Sequence, residues 1–419
     1  MTETDRGMAA SPGASETGRY LVVLGDEVFG DAEAAASALR EVAEPGTGSA
    51  PLNVESVLFA ELGVAVVTVG PGGVEALRAR AAADPRIAAV EPERRVRMTG
   101  GLSPEYLRGF RDAASRLYDE ALAVAGEQDA ERAHADTETL TWGLQATGAA
   151  TSPAGGAGVR VAILDTGLDL THPDFVGRDV LTASFVAGET VQDGNGHGTH
   201  TAGTACGPLA PAGTQRRYGV AHQAELMVGK VLSDSGSGTD SGVLAGMSWA
   251  IGGGARVISM SLGSDVAEVS TTYETVGRRA LAAGVLIIAA AGNNASRDQG
   301  DPGFVGVPAN SPSIMAVGAV DQDLALAPFS AGSSGVEGGQ VDLVAPGVEV
   351  YSTSPQPQLY DLLSGTSMAT PHVAGIAALW SETTGATGSA LWAQLAQAAR
   401  RLPLPSADVG AGIAQAPQA

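Results

Sequence analysis

A strand, a helix and a second strand follow one another in residues 257–290, VISMSLGSDVAEVSTTYETVGRRALAAGVLIIAA. The apolar runs 257–261 and 285–290 do not alternate with polar residues, which is typical of strands buried on both faces of a sheet. Further runs of this kind lie at 159–164, 224–231, 314–320 and 342–345, and helical stretches at 242–251, 272–283 and 367–380. This alternation predicts an α/β domain with a parallel sheet flanked by helices on both sides.

The composition agrees with this fold and excludes several classes of partner. A chain of 419 residues suits one large domain and a smaller one, and 44% hydrophobic residues are enough for a sizeable core. The net charge of −22 argues against nucleic acid and anionic membrane surfaces as partners. No apolar stretch is long enough to span a bilayer. Cys206 is the single cysteine, so no intramolecular disulfide can form.

A smaller unit precedes the α/β domain. Residues 1–18 are polar and are predicted to be a disordered tail. Within residues 19–99, strand patterns at 20–24, 54–59, 64–69 and 87–96 and helical patterns at 31–44 and 71–83 give the order βαββαβ, a ferredoxin-like α+β arrangement. Residues 100–139 are predicted to form a helix, 103–125, and an exposed linker. The α/β domain is expected at 140–400, followed by a loose C-terminal tail, 401–419, rich in Pro, Ala and Gly.

Three short segments place a carboxylate, an imidazole and a hydroxyl beside predicted strand and helix ends. Asp165 lies in VAILDTG, His197 in GNGHGTHTAG and Ser367 in GTSMATPHVAG. Each alone has an ordinary structural interpretation, such as a helix cap or a hydrogen-bonded structural histidine. Together they have the chemistry of nucleophilic catalysis. His197 could remove the proton of Ser367, and Asp165 could orient the imidazole and stabilise its cation.

These segments, in the chain order Asp, His, Ser, resemble the catalytic motifs of subtilisin-like serine proteases nearly residue for residue. The resemblance covers about residues 141–380. It implies a serine endopeptidase that acts through an acyl-enzyme, with Asp165, His197 and Ser367 as its triad. The segment AAAGN, 289–293, is similar to the oxyanion-hole motif of the family. The Asn293 side chain and the Ser367 backbone N–H are therefore expected to bind the developing oxyanion.

The resemblance also implies a groove that binds an extended peptide between two edge strands. The residues implied are Gly236, Ser237 and Gly238 on one edge, Ser261, Leu262 and Gly263 on the other, and Ala290, Ala291, Gly292 and Gly306 around the primary specificity pocket. Leu232, Val243 and Leu262 are expected to form a further apolar pocket. No carboxylate lies at these matched positions, so strict specificity for Arg or Lys is not expected, although the nearby Asp240 weakens that conclusion.

Residues 19–99 resemble the inhibitory, chaperone-like propeptide of the same family. The resemblance rests on RYLVVL, 19–24, and DPRIAAVEP, 84–92. The expected partners are therefore a polypeptide substrate and the chain's own propeptide, bound in the groove of the zymogen. Autocatalytic cleavage is expected near 98–100, and the additional residues leave room for a second cut within 128–139.

No cofactor is required for this chemistry. The family resemblance implies a structural calcium ion with Asp174 as a ligand, but the stretch CGPLAP, 206–211, lacks the expected Asn and is longer. The compartment stays unknown at this point. Propeptides of this kind usually accompany export, yet residues 1–18 contain no apolar signal segment, which favours a cytoplasmic enzyme over a secreted one.

Two other functions fit parts of the pattern. One is a catalytically impaired, peptide-binding relative, against which the complete triad argues. The other is an esterase of the α/β-hydrolase type. Its nucleophile lies in a Gly-x-Ser-x-Gly turn, from which the segment GTSMA of this chain differs only at the last residue. That fold also needs an Asp and a His after the nucleophile, and only His372 follows Ser367, so the esterase is rejected.

Overall fold

The computed structural model describes residues 17–43, 56–70, 73–99 and 134–418. The predicted helix at 103–125, most of the predicted linker and most of the predicted N-terminal tail lie outside these ranges. Within them, no helix combines the length and the hydrophobicity needed to cross a membrane.

The smaller unit is an antiparallel sheet covered by two helices. Its described elements are β1 (Arg19–Leu24), α1 (Ala32–Ala43), β2 (Ser56–Phe59), β3 (Val64–Thr68), α2 (Val74–Ala83) and β4 (Ile87–Pro92), with the described strands in the order β2-β3-β1-β4. Along β1, Tyr20 and Val22 pack beneath the two helices, whereas Leu21 faces the opposite side. Because side chains alternate along a strand, this sheet presents a second apolar face, which packs on the larger domain.

The predicted strand 87–96 is in fact two strands, which corrects the sequence prediction. The first is β4, and the second, β5 (Arg95–Met98), leaves the antiparallel sheet. Between them Glu93 is buried, and its carboxylate is bound by Arg19 and by the backbone N–H of Ser241. This anchor turns the chain so that β5 pairs with strands of the larger domain instead.

The larger domain is the predicted parallel sheet with helices on both faces. Its described elements begin with α3 (Trp142–Ala146), β6 (Arg160–Asp165), β7 (Val180–Ser184), α4 (His197–Cys206), β8 (Glu225–Lys230), β9 (Ser237–Thr239), α5 (Asp240–Gly252), β10 (Val257–Met260), β11 (Leu262–Gly263), α6 (Thr271–Ala282) and β12 (Leu286–Ala290). They continue with β13 (Met315–Val320), β14 (Leu343–Pro346), β15 (Val350–Thr353), β16 (Tyr360–Leu363), α7 (Thr366–Thr384), α8 (Gly388–Ala398) and α9 (Ser406–Val409).

Seven of the described strands form the parallel sheet, in the order β14-β13-β12-β10-β6-β8-β7. Alternate residues of β6 enter two different cores. Ala162 and Leu164 pack with α5 and α6, whereas Val161 and Ile163 pack with α4, α7 and α8. The six apolar runs thus correspond to six of the seven strands of this sheet, and the α/β fold class is confirmed. The sequence did not indicate the edge strand β7 or the β15–β16 hairpin.

The C-terminal residues are part of the fold, so the prediction of a loose tail over 401–419 is wrong. Ile413 is fully buried, and its backbone exchanges hydrogen bonds with Arg400. Val344 donates to Gly412 O, and Ala414 donates to Val344 O. Small residues permit this close approach, since a Cβ on Gly412 would lie 2.2 Å from Arg400 O. The larger domain therefore runs beyond 400, to at least 418.

Candidate active site

The three residues of the predicted triad lie at element ends on one edge of the parallel sheet. Asp165 is the last residue of β6, His197 is the first residue of α4, and Ser367 is in the first turn of α7. Ser261 follows β10, whose register sets Met260 beside Leu164, so Ser261 lies next to Asp165 at the strand ends. The Ser261 hydroxyl donates to Ser367 O at 2.7 Å, which ties α7 to this edge.

Asp165 and His197 form a buried pair. The Nδ1 atom of His197 lies 2.7 Å from Asp165 Oδ1, which also accepts the Thr166 N–H. Burial by itself lowers the pKa of His197, but the charge and hydrogen bond of Asp165, with the charge of Asp193, outweigh it, so the pKa is raised. In the part of the chain that the structure describes, the buried Nε2 atom of His197 has no hydrogen-bond partner. The imidazole is therefore oriented through Nδ1, and Nε2 is left to exchange a proton.

Asp193 and Lys230 support this pair, and the sequence analysis missed both. Asp193 is buried and accepts hydrogen bonds from the Thr166 hydroxyl and from the backbone and hydroxyl of Thr199, which joins β6 to the start of α4. Lys230 is fully buried, and its ammonium donates to Thr166 O and to Asp234. Asp193 stands directly before the GNGHG segment, a signal of an Asx turn, and Lys230 is the single lysine of the chain.

The hydroxyl of Ser367 contacts the residue that follows β5. It donates to the carbonyl oxygen of Thr99, and it lies 2.8 Å from the Thr99 hydroxyl. The Thr99 N–H in turn donates to Ser261 O at 3.2 Å. A backbone carbonyl of the chain itself therefore lies at the candidate nucleophile.

Asn293 lies beside this carbonyl with its amide oriented. Its Oδ1 atom accepts both the backbone N–H and the hydroxyl of Thr366, each at 2.9 Å. Since Oδ1 is bound on both sides, Nδ2 is left as the donor end of the side chain. A Cβ on Gly365 would lie 3.2 Å from this Nδ2 and 3.3 Å from Thr99 O, so both atoms border the same small space.

The two predicted groove edges are the neighbours of β5. In the three-stranded sheet that the described residues form here, β5 lies between β9 and β11 and is antiparallel to both. Arg97 stands opposite Ser237 on one side and Gly263 on the other, and Val96 opposite Gly238. The Met98 N–H donates to Gly236 O at 3.1 Å.

Side chains of β5 and its neighbours fill the apolar pocket. Val96 is fully buried in the same cluster as Leu232, Val243 and Leu262. Gly236 has a φ of +78°, and a Cβ there would lie 2.9 Å from the end of the Met98 side chain. The positions assigned to the primary specificity pocket are also adjacent, since Ala290 and Gly292 flank Ala291, whose carbonyl accepts the Gly306 N–H.

The surroundings of Asp174 do not fit the calcium ion that the sequence comparison implied. Its Oδ2 atom accepts hydrogen bonds from the hydroxyls of Tyr218 and Tyr360, and Oδ1 accepts the Ala212 N–H. These donors occupy the oxygens that a cation would need. Among the described residues there is no group of three or more His, Cys, Asp or Glu side chains that could hold a metal ion.

The fold, the Asp165–His197 pair and the serine at a helix start define a serine peptidase domain with a groove for an extended chain. Comparison with known proteins agrees with this assignment to the serine peptidases. A family model described as "Subtilase family" matches residues 156–412. The chain belongs to the subtilase family of subtilisin-like serine endopeptidases.

Individual relatives show the extent of the similarity. The chain is 45% identical over 257 residues to M-protease of Shouchella clausii (strain KSM-K16), a match that covers 60% of this chain and 62% of that one. It is 46% identical over 246 residues to subtilisin Savinase of Lederbergia lenta, covering 58% and 84%. It is 39% identical over 292 residues to subtilisin E of Bacillus subtilis (strain 168), covering 67% and 73%. The match to M-protease thus spans less than two thirds of that protein.

Proposed function

We propose that this chain is the zymogen of a serine endopeptidase that cleaves its own peptide bond after Thr99. The observation that carries the proposal is the contact between the Ser367 hydroxyl and the Thr99 carbonyl oxygen, made while β5 pairs with both groove edges. In this proposal residues 19–99 are the inhibitory propeptide, and Asp165, His197 and Ser367 are the catalytic triad.

The proposed cleavage takes two steps. The Ser367 oxygen attacks the Thr99 carbonyl carbon while His197 Nε2 takes the hydroxyl proton, and Asp165 stabilises the imidazolium. Asn293 Nδ2 and the Ser367 N–H donate to the resulting oxyanion. His197 then gives its proton to the amine of Gly100, which leaves, and a water molecule activated by His197 hydrolyses the ester between Ser367 and Thr99.

The same geometry accounts for inhibition after the cut. The pairing of β5 with β9 and β11 does not involve the bond after Thr99, so we expect the product to stay in the groove once that bond is cut. We propose that unfolded polypeptides are cleaved once this strand has left. Their backbone would take the place of β5, and an apolar side chain would take the place of Val96.

The alternative, an impaired peptide-binding relative, has no observation in its favour. The Asp165–His197 hydrogen bond, the oriented Asn293 amide and the Thr99 carbonyl at Ser367 support catalysis instead.

Intact-mass analysis of the purified chain and its Ser367→Ala variant tests the proposal. The wild type is expected to separate into fragments with a boundary after Thr99, whereas Ser367→Ala stays at 41.8 kDa. Ser364→Ala is the matched control, because the Ser364 hydroxyl accepts the Glu349 N–H and is outside the proposed chemistry. A wild type that remains at full mass, or a Ser367→Ala variant that is cut at the same bond, would refute self-processing.

A further inference from the structure

A buried carboxylate lies at the far end of the groove, outside the proposed catalytic chemistry. Asp240 begins α5, directly after the edge strand β9, and it has no exposed surface. Its Oδ2 atom accepts the backbone N–H of Arg94 at 2.8 Å, and its own N–H donates to Arg94 O at 3.1 Å. The Oδ1 atom accepts the hydroxyl of Tyr273 at 2.9 Å. Asp240 therefore extends the backbone pairing of the groove past the Arg95–Thr239 pair.

The side chain of Arg94 lies in the field of this carboxylate. Its Nη1 atom is 3.9 Å from Asp240 Oδ2 and 4.0 Å from Glu91 Oε2. This Nη1 atom is buried and has no hydrogen-bond partner in the described part of the chain. Glu91 is already engaged elsewhere, since it accepts hydrogen bonds from Ser270 and Thr271 at the start of α6. The guanidinium thus lies at a similar distance from the carboxylates of Asp240 and Glu91.

The position of Arg94 along the bound strand is set by the backbone. Thr99, which lies at Ser367, is the first residue before the scissile bond. Counted from that bond, Val96 is the fourth residue and Arg94 the sixth. A peptide that pairs with β9 and β11 in the same register brings its sixth residue to Asp240. We infer that Asp240 is a specificity-determining residue, which makes the groove favour substrates with a basic side chain six residues before the cleaved bond. This inference rests on the proposed peptidase function.

When a foreign substrate is bound, Asp240 is the carboxylate that remains next to its sixth residue, because the negative charge of Glu91 is no longer there. Glu91 belongs to the N-terminal unit and departs with it, whereas Asp240 belongs to the enzyme. A neutral sixth residue covers the carboxylate and removes it from water without supplying a counter-charge, which is unfavourable. A basic side chain offsets that cost, so the preference comes from binding and is expected mainly in KM.

Matched peptides test the inference with processed wild-type enzyme. The parent substrate is ERRVRMTGGL, residues 93–102, with a fluorophore and a quencher at its ends. One variant peptide replaces the residue matching Arg94 by Gln, and the control replaces the exposed neighbour that matches Arg95 by Gln. The first change is expected to lower kcat/KM by about tenfold, and the second by less than about twofold. The larger effect should shrink at about 0.5 M salt.

With an Asp240→Asn enzyme, replacing the peptide residue that matches Arg94 by Gln is expected to lower kcat/KM by less than about twofold. Equal cleavage of all three peptides by the wild type, or an unchanged ratio with Asp240→Asn, would overturn the inference and leave the peptidase assignment intact. Failure of the wild type to cleave any of the peptides would instead count against both. Because the peptide comparison needs no enzyme variant, the test stands even if Asp240→Asn does not fold.

Discussion

Two buried carboxylates show how neighbours decide the role of a residue. Asp174 is bound on both oxygens by tyrosine hydroxyls and a backbone N–H, which suits a structural anchor. Asp240 is covered by Arg94, and burial raises its pKa from 3.8 to about 6, although the N–H and charge of Arg94 and the hydroxyl of Tyr273 lower it. The charge of Glu93 raises it further.

This pKa predicts how acidity affects release of the N-terminal unit. With the groove occupied, Asp240 keeps its proton up to about pH 6, whereas an exposed carboxyl group loses it near 3.8. Association therefore takes up a proton between these values, so binding is tightest in acid and weakens as the pH rises through about 6. We expect the processed N-terminal unit to dissociate about tenfold more readily at about pH 8 than at about pH 5.

Recovery of peptidase activity from the processed complex, followed across this pH range, measures the release. Asp240→Asn serves as the reference, because both proteins share the titration of His197 and the variant lacks that of Asp240. The prediction fails if the ratio of the two release rates is the same at both ends of the range.

At the scale of elements, α6 docks the N-terminal unit at a place away from the groove. Arg279 of α6 is almost fully buried and donates to Leu62 O at 2.7 Å and to Leu24 O at 2.7 Å. Its guanidinium also lies 4.2 Å from the ring centre of Phe29. Gly63 leaves room for it, since a Cβ there would lie 2.3 Å from Arg279 Nη1. Polar backbone groups and an aromatic face thus enclose this one side chain.

Arg279→Ala is therefore expected to weaken docking by about 2–3 kcal/mol, because two buried carbonyl groups lose their donor. Gly63→Ala should have a similar effect from the other side of the contact. Arg278→Ala is the matched control, since that side chain is half exposed and pairs with Asp26 only at 3.2 Å. Co-elution of the processed fragments at falling concentration measures the affinity. Equal retention of Arg279→Ala and Arg278→Ala would contradict the prediction.

At the scale of the whole molecule, the N-terminal sheet and the α/β domain share one apolar core. Leu21, Val64 and Val66 belong to the same cluster as Tyr273 and Val276 of α6. The C-terminal residues close the other end of the domain, where Ile413 pairs with β14 and Gln415 donates to Ala146 O. The fold thus depends on contacts between chain segments that are far apart in sequence.

Loss of the C-terminal segment is therefore expected to destabilise the α/β domain. Ile413→Ala leaves a cavity against β14 and should lower the free energy of unfolding by about 2–4 kcal/mol. Gln418→Ala shortens an exposed side chain at the surface and should change the free energy of unfolding by less than about 0.5 kcal/mol. Denaturant unfolding in the Ser367→Ala background, which avoids self-digestion, provides the comparison. A loose tail would give the same stability for both variants.

Much of the fold was predictable because the signals are local. Six of the seven strands of the parallel sheet are mostly apolar, and the residues of the predicted triad stand beside strand and helix ends that Gly, Asp and Ser mark in the chain. The points where a strand ends, and the strands that pair with each other, were harder to predict from the sequence. The residues 87–96 were predicted as one strand, but Pro92 ends its first half, and the buried Glu93 is held by Arg19 and Ser241, so the second half joins another sheet. The residues 403–418 have the composition of a tail, yet the stretch 409–417 packs against the domain, where Gly410 and Gly412 permit a close approach of the backbone.

By itself, the sequence determined the α/β class and the three motifs, since each depends on residues within a short window. The two groove edges were implied only by the family resemblance. Tertiary structure decided which residue of the predicted region 98–100 lies at Ser367, namely Thr99, and it alone brought the Lys230 ammonium to Thr166 O and Asp240 to Arg94. These are contacts between residues about 60 to 270 positions apart. Which groups meet at such separations depends on how whole sheets and helices pack, and the pattern of neighbouring residues carries little information about it.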